Sequence, residues 1–99
     1  MENWFSCIIS PGQFTGEFAV RGELFDGSGF SLFAQREDIR FKEEPSEAKS
    51  VEGWIRVSLL DQKNDMLLVS LPQPTFENGQ AITVSAARVT GDKDDSFKR

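Results

Sequence analysis

Short apolar runs rich in Val, Ile, Phe and Leu recur along the chain, and Gly, Pro, Asn or Asp cuts them off before they reach the length of an ordinary helix. Within several of them apolar and polar residues alternate, as in "GWIRVSLLDQKNDMLLVSL", which is the period of a strand with one face buried. Strands are expected near 3–10, 17–25, 30–35, 52–61, 66–71 and 81–89. That spacing predicts an all-β fold, a small antiparallel barrel or sandwich of five or six strands with an oligonucleotide-binding-like or SH3-like layout. No repeat of 20 to 50 residues is visible.

A charged insertion near 35–51 interrupts the pattern, with Ile39 and Phe41 as its apolar anchors. Two readings of it stay open: a short helix after Pro45, and a short strand at Ile39 and Phe41. The single β domain is expected to span 1–89, and residues 90–99, charged and nearly free of apolar groups, to form a flexible tail with Phe97 exposed.

Two hairpins can be aligned by asking which pairing gathers the apolar side chains on one face. In the later one, Leu59 opposite Leu67 also sets Val57 against Val69 and Ile55 against Leu71, and leaves a loop of Gln62, Lys63 and Asn64 with Asn64 left-handed. In the earlier one, "GELFDGSGFSLFA", pairing Leu24 with Phe30, Gly22 with Leu32 and Val20 with Ala34 puts Phe18, Val20, Leu24, Phe30 and Leu32 on one side. That register predicts a loop from Phe25 to Gly29, closed by Gly29 in the left-handed region, and sets Arg21 across from Phe33. Pro72 and Pro74 are expected to end the strand at Leu71, and Asn78-Gly79 to turn into a last strand with Ile82 and Val84 facing inward.

The chain has no histidine, which removes the commonest general base and metal ligand together with every Ser-His or Cys-His arrangement. Adjacent carboxylates occur at Glu37-Asp38, Glu43-Glu44 and Asp94-Asp95, but neighbours on a strand point to opposite faces and such clusters in loops are solvated. Cys7 lies among Phe5, Ile8 and Ile9, the setting of a buried inert thiol. The "DGSG" loop is followed by a strand and not by the helix N-terminus that a phosphate loop needs, and it lacks the ligand spacing of a calcium loop. No enzyme activity, metal or cofactor is expected.

The formal net charge of −5 gives no general attraction to nucleic acid or to an acidic membrane. The N-terminus "MENWFSCIIS" shows neither the basic leader nor the cleavage site of a signal peptide, and a cytoplasmic chain is expected. The candidate site is the face turned away from the core, which carries Arg21, Phe33, Trp54, Arg56, Leu60, Met66 and Leu68. Leu60, Met66 and Leu68 are too apolar for an idle solvent face, so either a closed barrel or the strand 81–89 covers them from within the chain, or they meet an unidentified protein partner or form a homo-oligomer. Arg21, Phe33, Trp54 and Arg56 are of the type that stacks bases and holds phosphate, so single-stranded nucleic acid is the alternative, which the net charge disfavours.

Overall fold

The computed structural model of the chain describes residues 2–91. Its strands are β1 (Asn3–Pro11), β2 (Glu17–Glu23), β3 (Gly29–Gln35), β4 (Ile39–Phe41), β5 (Val51–Lys63), β6 (Met66–Thr75), β7 (Gly79–Ser85) and β8 (Val89–Gly91). Two 3-10 turns, Arg36–Asp38 and Ala86–Arg88, stand before β4 and β8. The strands run in the order β3-β2-β1-β5-β6-β7, with β4 also paired to β5 and β8 to β1, all antiparallel. This is one all-β sheet curled into a half-barrel, the small-barrel class expected from the apolar pattern.

The outer strands are drawn together at their ends. Phe25 N–H donates to the Thr83 carbonyl at 2.8 Å, and Phe76 N–H to the Ser31 carbonyl at 2.9 Å. The Glu77 carboxylate accepts both the Ser31 amide and the Ser31 hydroxyl, each at 2.8 Å, so a side chain completes the β3 edge. Those two bonds, the hydroxyl first, hold the Glu77 carboxyl below its ordinary value.

Inward residues of every long strand fill the concave side. Phe5, Ile9, Val20, Leu32, Ile55, Val69, Leu71 and Val84 are fully buried, each contributing about 1.5 to 3 kcal/mol of transfer free energy. Ile82 and Val84 face inward as the sequence predicted.

Neither hairpin keeps the expected register, and the later one also departs from its expected buried face at Leu59, which is 46 % exposed beside the bulge. Phe30 pairs with Gly22 and Leu32 with Val20, a slip of two residues, so Arg21 lies opposite Ser31 and Phe33 opposite Ala19. The loop is Leu24 to Ser28, closed by Leu24 N–H to the Ser28 carbonyl at 2.8 Å, and the left-handed glycine is Gly27 (φ 91). In the later hairpin Leu59 pairs with Val69, Leu60 is left over as a bulge, and Lys63 then meets Met66 across a two-residue loop of Asn64 and Asp65. Asn64 is left-handed (φ 56), as expected. A slip of two leaves every side chain on its own face, so alternation cannot detect it. Loop closure and the bulge decide instead.

The charged insertion holds β4 at Ile39 and Phe41 and no helix after Pro45. Ser46 and Lys49 exchange two backbone hydrogen bonds of 3.0 Å, a tight turn with room for two residues between them. The strand expected to stop at Leu71 runs to Thr75, but its ladder with β7 lapses between Ser70 and Thr75, where Pro72 and Pro74 offer no N–H. The turn at Asn78-Gly79 is present, with Gly79 left-handed (φ 79). Thr90 and Gly91, expected in the tail, are paired with Trp4 and Asn3 in β8; residues 92–99, with Phe97, lie outside the described residues.

The chain is an internal repeat, contrary to the sequence reading. β3, its 3-10 turn and β4 recur 50 residues later as β7, its 3-10 turn and β8, with identical lengths and no intervening residues. The ladders repeat as well. Ile9 opposite Val20 returns as Leu59 opposite Val69, and Val20 opposite Leu32 returns as Val69 opposite Ile82. Each half lends its last strand to the other: β4 pairs Ile39 with Ile55 on β5, and β8 pairs Val89 with Phe5 on β1. Phe5 and Ile55 are themselves opposite one another, so the pseudo-twofold axis passes between them.

Candidate functional site

The structure divides the seven candidate residues among several places. Met66 and Leu68 line one cleft on the β5–β6 hairpin, and Leu60 lies at the bulge next to Asp61, the residue opposite Leu68. Leu60, at the bulge, is 53 % exposed, and Leu68 is 36 % exposed beside Thr83 of β7. Met66 is half-buried at the head of β6, and Phe25, 46 % exposed, reaches the same region because its amide is bonded to Thr83. Phe25, Met66, Ala81 and Thr83 line a shallow cleft of about 390 Å³ there.

Arg56 faces outward on β5 but is engaged. Its guanidinium donates to the carboxylates of Asp38 and of Glu2, the latter at 3.0 Å. Asp38 then Glu2 push the guanidinium further above its ordinary value. Arg21 is exposed on β2 between Ile8 and Ser31, and Phe33 packs edge-on against Phe76 on β3, with ring centroids 5.6 Å apart. Trp54 and Arg56 therefore share the outer face of β5, while Arg21 lies on β2 and Phe33 on β3.

Trp54 has different neighbours. β4 sets Arg40 directly opposite it, and the chain on either side of β4 brings Arg36 and Lys42 to the same cleft, with Phe41 as a further wall. The Arg40 guanidinium lies 4.2 Å above the Trp4 ring and that of Arg36 lies 4.7 Å above the Phe41 ring. Sequence reasoning passed over these residues because the segment is acidic on average. The spacing in "REDIRFK", with basic residues four apart around Ile39, was the readable signal.

The carboxylate pairs are split up. Asp38 is buried against Arg56 while Glu37 is exposed, and Glu43 is bonded to Lys49 at 3.0 Å; Asp94 and Asp95 lie outside the described residues. Among the described residues, no three carboxylates or thiols are grouped to hold a metal ion. In the "DGSG" loop the Asp26 carboxylate accepts the Ser28 hydroxyl at 2.7 Å and its amide at 2.9 Å, which lowers the Asp26 pKa and fixes the turn.

Cys7 is buried in the core, and desolvation pushes its thiol up to about 12. The folded protein thus keeps a proton that the unfolded chain releases from about pH 9. Its contribution to stability is whole below that pH and falls as the pH rises towards 12. Because Val57 occupies the matching place in the second half, Cys7→Val is expected to fold and to flatten the loss of stability above pH 9, read as urea midpoints across that range. A decline as steep as in the wild-type chain would assign the alkaline loss to other groups.

Among the described residues, no helix is long and apolar enough to cross a membrane. Comparison with family models, with curated proteins and with solved structures finds no match to this chain.

Proposed function

We propose that this chain is a non-catalytic binding module that works through the apolar outer face of β6, meeting a protein surface of like character, with a second copy of itself as the form to be tested first. One observation carries the reading. Met66 and Leu68 stand opposite Ser85 and Thr83, and at the matching ladder positions of the first half Glu17 and Ala19 stand opposite Gln35 and Phe33. The first half folds with Glu17 and Ala19 at these places of its β2, so large apolar side chains on this strand are not a requirement of the sheet. Phe25 lines a cleft with Met66, Met66 lines another with Leu68, and Leu60 is exposed at the neighbouring bulge, so several large apolar groups stand in one region of the surface.

Sedimentation over a range of concentrations is expected to show reversible association of the full chain. Leu68→Asp should abolish it while shifting unfolding by less than about 1 kcal/mol, since Leu68 is already 36 % exposed. A wild-type chain that stays monomeric at every concentration would overturn self-association. If Leu68→Asp unfolds the protein, the residue belongs to the core, and Leu60→Asp, at the more exposed bulge, then tests the face alone.

A further inference from the structure

We infer that the cleft on the outer face of β1 and β2, beside the 3-10 turn Ala86–Arg88, is a seat for a small guanidinium-bearing zwitterion, an amino acid of the arginine type. The inference does not depend on the association face proposed above, because it uses another surface and other residues.

The repeat makes this cleft one of a pair. Ser6, Cys7 and Ile8 on β1 match Arg56, Val57 and Ser58 on β5, and Arg88 lines the first cleft where Asp38 lines the second. The ladders set Arg21 opposite Ile8 and Ser70 opposite Ser58, so β2 and β6 supply the remaining walls at matching positions. In the second cleft the chain uses a side chain of its own: the Arg56 guanidinium donates to the carboxylates of Asp38 and Glu2, and about 130 Å³ stays open. In the first, Ser6 stands in the place of Arg56 and is too short to fill the space, and about 380 Å³ is open. One carboxylate survives the change, because Glu52, which lines the first cleft, stands 50 residues after Glu2 and so matches it.

The first cleft adds a place for an anion. Ile8 pairs with Arg21 on one side and with Glu52 on the other, so a guanidinium and a carboxylate rise from the same face of three adjacent strands, with Cα atoms about 10 Å apart. Among the described residues neither Arg21 nor Glu52 makes a side-chain hydrogen bond or an ion pair, and both are exposed. Arg88, in the place of Asp38, brings a second guanidinium. It meets Glu23 at 3.3 Å in an exposed pair, which holds weakly and yields to a better partner.

Two acids and two bases around the half-buried Ile8 suit a ligand that carries both signs and not a polyanion, which Glu23 and Glu52 repel. The ligand's guanidinium takes the part that Arg56 plays in the second cleft, in a charge-assisted bond to Glu52. Its carboxylate is gripped by the planar fork of Arg21. The net charge of −5 adds a general attraction for an amino acid whose own net charge is positive.

Backbone amide shifts in two-dimensional NMR, followed while the full chain is titrated at low salt with L-arginine, agmatine and citrulline, test the assignment. Agmatine keeps the guanidinium and lacks the carboxylate, whereas citrulline keeps the carboxylate and carries a neutral urea. L-Arginine is expected to give saturable shifts at Ser6, Ile8, Arg21, Glu52 and Arg88. Each analogue should bind about tenfold more weakly, having lost one charge-assisted hydrogen bond.

The variant Ser6→Arg with Arg88→Asp rebuilds the second cleft in the first half and should fold with the shifts abolished. Glu52→Gln, at an exposed position, should weaken L-arginine and agmatine about tenfold and leave citrulline unchanged. Arg21→Gln should weaken L-arginine and citrulline and leave agmatine unchanged. Shifts that do not saturate, or that persist in full in the folded double variant, would overturn the site. If the double variant does not fold, unchanged L-arginine affinity in both Glu52→Gln and Arg21→Gln overturns it instead. Citrulline bound as tightly as L-arginine would remove the role given to Glu52, and agmatine bound as tightly would remove that of Arg21. The same titration of the Leu68→Asp chain should give the same affinities, so this reading and that of the association face fail separately.

Discussion

Truncating Phe5 to alanine is expected to cost about 3 to 5 kcal/mol of stability. Phe5 has no exposed surface, and its ring lies 5.8 Å from that of Phe30 on β3. More than volume is lost with it, because Phe5 stands opposite Ile55 on one side and Val89 on the other, beside the pseudo-twofold axis where the halves exchange strands. A cavity there borders β1, β5 and β8 together, and none of them can collapse into it without shifting both halves. Single domains of this size are stable by about 5 to 15 kcal/mol, so a large share would go with one side chain. Urea unfolding measures it. Ile55→Ala should cost about 2 to 5 kcal/mol, and the double variant should depart from additivity by 0.5 kcal/mol or more, since the two side chains share one space. A Phe5→Ala loss below about 1 kcal/mol, or strict additivity with Ile55→Ala, would show that the axis is not the point at which the halves depend on each other.

The face of each strand could be read from the sequence, and its partner residue could not. Phe18, Val20, Phe30 and Leu32 alternate with polar or small neighbours except at Phe33, and all four are buried as expected. Alternation fixes parity alone, so the slip of two residues in the earlier hairpin, and in the later one as far as Leu59, costs the pattern nothing. What settles it is local: the Asp26 carboxylate tying Ser28 into a five-residue loop, and the bulge at Leu60 that lets Asn64 and Asp65 make a turn of two. Neither leaves a mark in the apolar pattern.

The repeat escaped the sequence because a buried position asks for volume and apolarity, not for one residue type. Phe5 and Ile55, Cys7 and Val57, Leu32 and Ile82, and Ala34 and Val84 fill matching places with different side chains. Identity survives at Trp4 and Trp54, at Glu2 and Glu52, and at Gly29 and Gly79, too thinly spread to be noticed. The cleft at Trp54 was hidden for a related reason. Arg36 and Arg40 reach their aromatic partners through a 3-10 turn and through a strand exchanged between halves, and the charge of the surrounding segment averages towards the acidic side.

Adding a single methyl group at Gly53 is expected to cost about 2 to 3 kcal/mol, close to the upper end for overfilling a packed site. Gly53 lies on β5 between Cys7 of β1 and Phe41 of β4. A Cβ there would stand 2.5 Å from the Arg40 carbonyl oxygen and 2.5 Å from the Ile9 Cδ1. The second contact can be relieved by the end of a side chain, and the first cannot, because the oxygen belongs to the strand paired with Gly53. β4 must therefore lift away, taking Arg40 from its place over Trp4. Hydrogen exchange should show the Ile39 and Phe41 amides losing protection before those of the β2–β3 hairpin. Combining Gly53→Ala with Ile9→Val removes the crowding methyl but not the oxygen, so the pair should lose less than the sum of the two single changes while staying well below wild type. The matching strand pair supplies the comparison: at Gly91, opposite Asn3, a Cβ would meet nothing within 4 Å, and Gly91→Ala should change stability by no more than about 0.5 kcal/mol. Equal effects at Gly53 and Gly91 would mean that β4 has slack against β5. In that case Arg40 would not be held over the Trp4 ring by the sheet.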